Sequence, residues 1–148
     1  MKRNWFAPIA MLAMLVLAAC GPSAPEPTRI ALGISTSPDM NGGAPARIQV
    51  FYLKGPGGFS SADFFSLSQN AVATLGADLA SQAVYTVNPG SSQQDAASIP
   101  QPVTHVGVIV GFRNIGSSVW RGIVAVKPNA PNSVSIEVSA AAVNVIAK

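Results

Sequence analysis

The sequence predicts an all-β protein, a two-sheet sandwich with one short helix added between the second and third strands. Three observations predict it. Apolar and polar residues alternate over short stretches, the period of a half-buried strand. Strings of Gly, Pro, Asn and Ser separate those stretches at regular intervals. One segment alone, after Ser60, has apolar residues recurring every three or four positions, the period of a helix.

The first strand begins near Thr28, where Ile30, Leu32 and Ile34 alternate with Arg29, Ala31, Gly33 and Ser35. Pro38 to Ala46 reads as a loop with Asn41-Gly42 as its turn signal. Arg47 to Lys54 is a second strand that becomes apolar on both faces toward its end, and Gly55-Pro56-Gly57-Gly58 breaks it. Ser60-Ser61-Ala62-Asp63 has the spacing of a capping box with Ser60 as N-cap. Phe64, Leu67, Ala71 and Leu75 follow at helical spacing, so a helix is expected from about Ser61 to Gln69, extending toward Leu75 and ending at Gly76.

Ala83 to Val87 is a third strand, stopped by Asn88-Pro89-Gly90. Ser91 to Pro102 is polar and reads as a loop. Val103 to Phe112 sets Val106, Val108, Val110 and Phe112 on one face, against His105, Gly107, Ile109 and Gly111 on the other. Asn114 to Ser118 reads as a hairpin-like connection to a strand over Val119 to Val126. Lys127 to Asn132 turns the chain, and Ser133 to Ser139 alternates with Val134, Ile136 and Val138 inward. Val143 to Ile146 extends that strand after a kink. The reading gives six or seven strands.

The N-terminus has a different character. Lys2 and Arg3 precede an apolar run from Trp5 to Leu17, the layout of an export signal and too short for a comfortable membrane span. It ends in Leu17-Ala18-Ala19-Cys20, and Cys20 is the one cysteine of the chain. That string resembles the lipobox of bacterial lipoproteins, which implies cleavage before Cys20 and a diacylglycerol on its sulfur. Each buried acyl CH₂ contributes about 0.8 kcal/mol, so several chains on one cysteine hold a protein stably at a membrane. Gly21 follows the cysteine where Asp would favour inner-membrane retention, so the resemblance implies the outer membrane, with the body in the periplasm. The expected organisation is a signal peptide over 1–19, a lipidated cysteine and Pro-rich tether over 20–27, and a sandwich domain over 28–148.

Removing residues 1–19 leaves 129 of the 148, the size of one domain. The nine basic residues fall to seven against six acidic ones, close to neutral. The basic whole-chain balance is therefore no argument for a nucleic-acid partner.

The catalytic inventory is thin. His105 is the only histidine and has no second histidine or cysteine to share a metal, so it reads as a strand-face residue. No Gly-x-Ser-x-Gly elbow supports a nucleophile. Asp63 and Asp78 read as helix-capping and loop residues rather than a carboxylate pair. Gly55-Pro56-Gly57-Gly58 lacks the Gly-Lys-Ser/Thr ending of a phosphate cradle, and Pro56 removes an amide donor. Phe64, Phe65 and Trp120 read as core. No enzyme activity, cofactor, metal or small-molecule substrate is expected.

Several strings together carry a family resemblance. They are Arg47-Ile48-Gln49-Val50-Phe51-Tyr52-Leu53, Phe59-Ser60-Ser61-Ala62-Asp63-Phe64-Phe65-Ser66-Leu67, Leu75-Gly76-Ala77-Asp78-Leu79 and Val87-Asn88-Pro89-Gly90, followed by Val106 to Arg113 and Trp120-Arg121. From Cys20 nearly to the C-terminus the chain resembles the outer-membrane lipoprotein of bacterial type VI secretion, the TssJ (SciN-like) family. The resemblance implies a transthyretin-like sandwich with an added helical element. It implies an adaptor that binds the periplasmic C-terminal region of the inner-membrane protein TssM, within a complex that includes TssL. It also implies a contact through the loop between the first two strands, which maps to Asp39, Met40, Asn41, Gly42, Gly43, Ala44 and Pro45. The alternative reading is a sandwich lipoprotein that binds a small ligand or glycan, which requires a concave pocket with aromatic and polar lining.

Overall fold

The computed structural model describes residues 21–148. Cys20 and the signal segment lie outside the described residues. Eight strands form two four-stranded sheets. The strands are β1 (Thr28–Thr36), β2 (Ala46–Leu53), β3 (Leu79–Val87), β4 (Ser92–Ile99), β5 (His105–Val110), β6 (Arg121–Ala125), β7 (Pro131–Val138) and β8 (Val143–Ala147). One sheet runs β4-β1-β7-β8 and the other β3-β2-β5-β6. All pairings are antiparallel except β1 with β7.

The alternation read from the sequence places the core. Ile30, Leu32 and Ile34 of β1 and Val134, Ile136 and Val138 of β7 point into the space between the sheets. Ile48, Val50 and Tyr52 of β2 and Val106, Val108 and Val110 of β5 meet them. Burying a side chain of this size contributes about 1.5–3 kcal/mol.

The second sheet is apolar on its outer face as well, because a helical layer covers it. Two helices, α1 (Gly57–Ser61) and α2 (Phe64–Leu75), lie between β2 and β3. Phe59, Leu67, Ala71 and Leu75 pack on Phe51, Leu53 and Ile109. Phe59 seats directly on Gly107: a Cβ there would lie 2.7 to 2.9 Å from its ring atoms. On the side where β6 meets β8, Gly122 allows a similar approach, and a Cβ would lie 2.6 Å from Val145 Cγ2.

Four expectations are corrected. Val143 to Ile146 does not extend the preceding strand: it turns back as β8, antiparallel to β7. Ser91 to Pro102 is not a loop. Ser92–Ile99 is edge strand β4, paired with β1 along its length. Beside the core residues Ile34, Leu32 and Ile30 of β1 it sets Gln93, Asp95 and Ala97, and Asp95 accepts from the Tyr85 hydroxyl of the other sheet at 2.8 Å, so this edge strand lacks an apolar signature. The helix does not start at a Ser60 cap. Gly57–Ser61 forms its own short helix, Ala62 resets the chain to extended geometry, and Asp63 is the N-cap of α2. Asp63 Oδ1 accepts from the Ser66 amide at 3.0 Å and Oδ2 from the Ser66 hydroxyl at 2.6 Å. These bonds hold its carboxyl below the ordinary aspartate range. Finally, the sixth strand is shorter than Val119 to Val126. Val119 makes a lone bridge to Ala142, after a 3₁₀ turn over Ile115–Ser117.

Among the described residues no helix is long and apolar enough to cross a membrane.

Candidate partner-binding end

β1 sets the geography of the site. Nine residues of strand span about 30 Å, the length of the sandwich. The tether enters at Thr28, and the loop from Asp39 to Pro45 leaves after Thr36, at the opposite end. Thr28 is fully buried, and its hydroxyl ties three segments together. It donates to the Gln101 carbonyl at 3.1 Å and accepts from the amides of Val103 at 3.1 Å and Asn129 at 2.9 Å.

At the far end the loop is built around Asn41. Met40 is buried in the core and anchors the loop from below. Asn41, Gly42 and Gly43 have φ of 53°, 64° and 80°, three successive left-handed residues. Glycine adopts that region freely, and Asn tolerates it better than most residues. The Asn41 side chain then fixes the turn. Its Oδ1 accepts from the Arg113 amide at 2.8 Å, and its Nδ2 donates to the Pro45 carbonyl at 3.1 Å. Its own amide donates to the Ala140 carbonyl at 3.0 Å. One residue thereby joins the loop after β1 to the loops after β5 and β7.

The seven loop residues thus divide. Met40 and Asn41 face inward and Ala44 is half-buried, whereas Asp39, Gly42, Gly43 and Pro45 are exposed. Asp39 accepts from the Ser37 hydroxyl at 2.6 Å. Beside the loop lies a shallow depression of about 240 Å³, walled by Gly42, Arg113, Asn114, Ser117, Ser118 and Ala140.

The start of α2 approaches the same end. Phe64 is half-buried and meets Trp120 edge to face, with ring centroids 5.4 Å apart. Phe65 meets Phe64 at 5.5 Å and is 62 % exposed, so it is not the core residue expected from the sequence. The helical spacing placed Phe65 beside Phe64 but gave no sign of which face it takes. The true core aromatic of this layer is Phe59. Arg121 locks the junction of the two helices. Its Nη1 donates to the carbonyls of Phe59 at 3.1 Å and Ala62 at 2.9 Å, and its guanidinium lies 4.8 Å from the Trp120 ring centre. The sequence motif contained Arg121, but nothing in its spacing disclosed a partner some sixty residues away.

The remaining candidates lie elsewhere. His105 stands at the start of β5, near the tether end, with Nδ1 2.9 Å from the Thr104 hydroxyl. Asp78 packs beside Gly55 and Gly58 and follows the end of α2, whereas Asp63 caps its start. Among the described residues no group of three His, Cys, Asp or Glu side chains gathers as a metal site.

No curated protein sequence matches the chain. Among solved structures, the type VI lipoprotein TssJ1 of Pseudomonas aeruginosa is 27 % identical, with a TM-score of 0.77 over 82 % of this chain and 97 % of that one. Lip of Serratia marcescens, a membrane-bound component of the type VI secretion system, is 22 % identical, with a TM-score of 0.73 over 82 % and 98 %. A chain in a structure described as the TssM C-terminal domain from EAEC is 20 % identical, with a TM-score of 0.61 over 80 % and 97 %. The last two show the shared fold. A family model described as type VI secretion lipoprotein (VasD, EvfM, TssJ) matches residues 28–141, nearly all of the sandwich, and the chain therefore belongs to the type VI secretion lipoprotein family.

Proposed function

We propose that this lipoprotein tethers the type VI secretion membrane complex to the outer membrane. Acyl chains on Cys20 hold it at the periplasmic face, and the far end of the sandwich binds the periplasmic C-terminal region of TssM, in a complex that also contains TssL. The observation that carries this reading is the placement of tether and loop at opposite ends of β1. A protein held at Thr28 presents Asp39–Pro45 and the neighbouring loops away from the lipid surface. Those loops are preorganised by Asn41, so binding costs little ordering entropy. Phe65 adds an exposed aromatic of the kind that anchors protein interfaces. The domain is a scaffold with a binding end rather than an enzyme.

The test is calorimetric titration of residues 21–148 with the periplasmic C-terminal domain of the same organism's TssM. Two variants run alongside, Asp39→Arg/Pro45→Glu and Phe65→Ala. All three altered side chains are exposed, so both variants should unfold at the parent temperature. Saturable binding that Asp39→Arg/Pro45→Glu weakens at least about tenfold, or about 1.4 kcal/mol, supports the reading with the loop as its contact. Binding by the parent that both variants retain moves the contact off this end. Absence of binding with both proteins folded overturns the proposal. Anchoring has its own test: Cys20→Ser should leave the protein soluble in the periplasm or as uncleaved precursor, and unchanged membrane attachment would refute lipidation.

A further inference from the structure

The near-neutral balance conceals an uneven distribution of charge along the sandwich. The described residues include three lysines, Lys54, Lys127 and Lys148, all exposed. Lys54 follows β2 and Lys127 follows β6, both at the end where the tether enters. Thr104 lies between them. Its hydroxyl donates to the Lys54 carbonyl at 3.0 Å, and its carbonyl accepts from the amide of Val126, the neighbour of Lys127, at 2.8 Å. Lys148 closes β8 nearby, its amide bonded to the Ser133 carbonyl at 2.9 Å. The cations of the far end, Arg47, Arg113 and Arg121, are all arginines. Two carboxylates share the tether end. Glu26 pairs with Arg29 at 3.3 Å, and Asp78 is half-buried against Gly55 and Gly58.

The tether brings this end close to whatever holds Cys20. Asn129 Nδ2 donates to the Glu26 carbonyl at 2.7 Å, so the chain is fixed to the sandwich from Glu26 onward. Only Gly21 to Pro25 remain as spacer. Fully extended, they reach about 15 Å. Contracted to about half that reach, the spacer brings this end within the Debye length of about 8 Å at physiological ionic strength.

We propose that the tether end is a membrane-contacting surface, with Lys54 and Lys127 seated among anionic phospholipid headgroups. This inference rests on the anchoring of Cys20 proposed above. Lysine suits the task. Its compact charge sits on a long apolar stem, which can reach a headgroup phosphate without a rigid docking geometry. Two such contacts beside one flexible anchor resist tilting. The sandwich then stands with its long axis away from the lipid and its far-end loops turned toward the partner.

The experiment uses the full acylated chain reconstituted into two kinds of vesicle, phosphatidylcholine with phosphatidylglycerol, and phosphatidylcholine alone. Flotation reports anchoring. An amine-reactive reagent, read residue by residue by mass spectrometry, reports the exposure of each lysine. The expected result is flotation with both vesicles, and labelling of Lys54 and Lys127 at least about threefold slower on the anionic ones. Raising salt to about 0.5 M should restore the rate, because screening shortens the reach of surface charge. Equal labelling on both vesicles, or protection that survives high salt, overturns the membrane contact and leaves the anchor standing. A chain that fails to float overturns the anchor and this inference together. The variant Lys54→Gln/Lys127→Gln gives an independent reading. It should float normally but lose the lipid-dependent slowing of amide exchange expected of the parent at Lys54, Gly55, Val126 and Lys127. Loss of no protection in that variant also refutes the contact.

Discussion

The two sheets of the sandwich share one core but have opposite outer faces. The face of β4-β1-β7-β8 is bare, and Ala31, Ser35, Ser133 and Glu137 stand on it between buried neighbours. The face of β3-β2-β5-β6 lies under α1 and α2, so Phe51, Leu53 and Ile109 are as buried as the core residues beside them. The same strand geometry therefore tolerates two residue patterns. Alternation is the mark of a sheet with one wet face, and its loss is the mark of a covered one. On this reading the helical layer is part of the domain's cooperative structure.

The contrast is broken most directly at Phe59. It is fully buried, and Phe59→Ala should cost about 3–5 kcal/mol in chemical denaturation. The half-buried Phe64, replaced in the same way, should cost less than half as much. A small effect at Phe59 would mean that the layer merely rests on the sheet. Two glycines then compare the faces at equal chemistry. Gly107→Val drives a side chain into the Phe59 ring and should cost about 1–3 kcal/mol. Gly33→Val meets nothing within 4 Å on the bare face and should change stability by no more than about 0.5 kcal/mol. Equal costs at the two positions would refute the distinction between the faces.

The loop after β1 extends the comparison to inward and outward residues of one turn. Asn41→Ala leaves the Arg113 amide without its acceptor in a part-buried setting, which should cost about 1 kcal/mol or a little more. Asp39→Ala, on the exposed side, should leave the unfolding midpoint unchanged. A small effect belongs to the exposed cap of α2. The hydroxyl and amide of Ser66 lower the Asp63 pKa, so its contribution is present above the unfolded aspartate value and is lost as pH falls through the lower folded one. Asp63→Ala should lower the melting temperature slightly at neutral pH. The difference should close in strong acid, and one independent of pH would exclude the ionised cap as its source.

The legibility of the sequence follows the same division. Ile30-Leu32-Ile34 and Val134-Ile136-Val138 alternate because one side of each strand meets water, and both strands were readable. The apolar end of β2 carried the signal of the helical cover, and the helix itself was placed in the right interval. β4 gives no strand signal because, at the sheet's edge, its core-side positions carry Gln93, Asp95 and Ala97. The N-cap was misplaced because Ser60 and Asp63 both suit capping, and Ala62 decides between them through its backbone. At the candidate end, Asn41-Gly42 announced a turn. The inward role of Asn41 depends on Arg113 and Ala140, distant in sequence, and no local pattern encodes it. Phe65 was misjudged for a related reason: helical period groups residues by face but does not orient the helix.

The central position of β1 has a mechanical consequence. In the proposed arrangement a pull between the lipid anchor and a partner enters at Thr28 and runs along the strand axis. β1 is flanked on both sides, with eight registered pairs to β4 and eight to β7. Such a load shears both ladders at once instead of opening them bond by bond. The strand that receives the force is thus the one the fold grips hardest. Under tension the assembly should part at its acyl chains or its partner contact before the sandwich unravels.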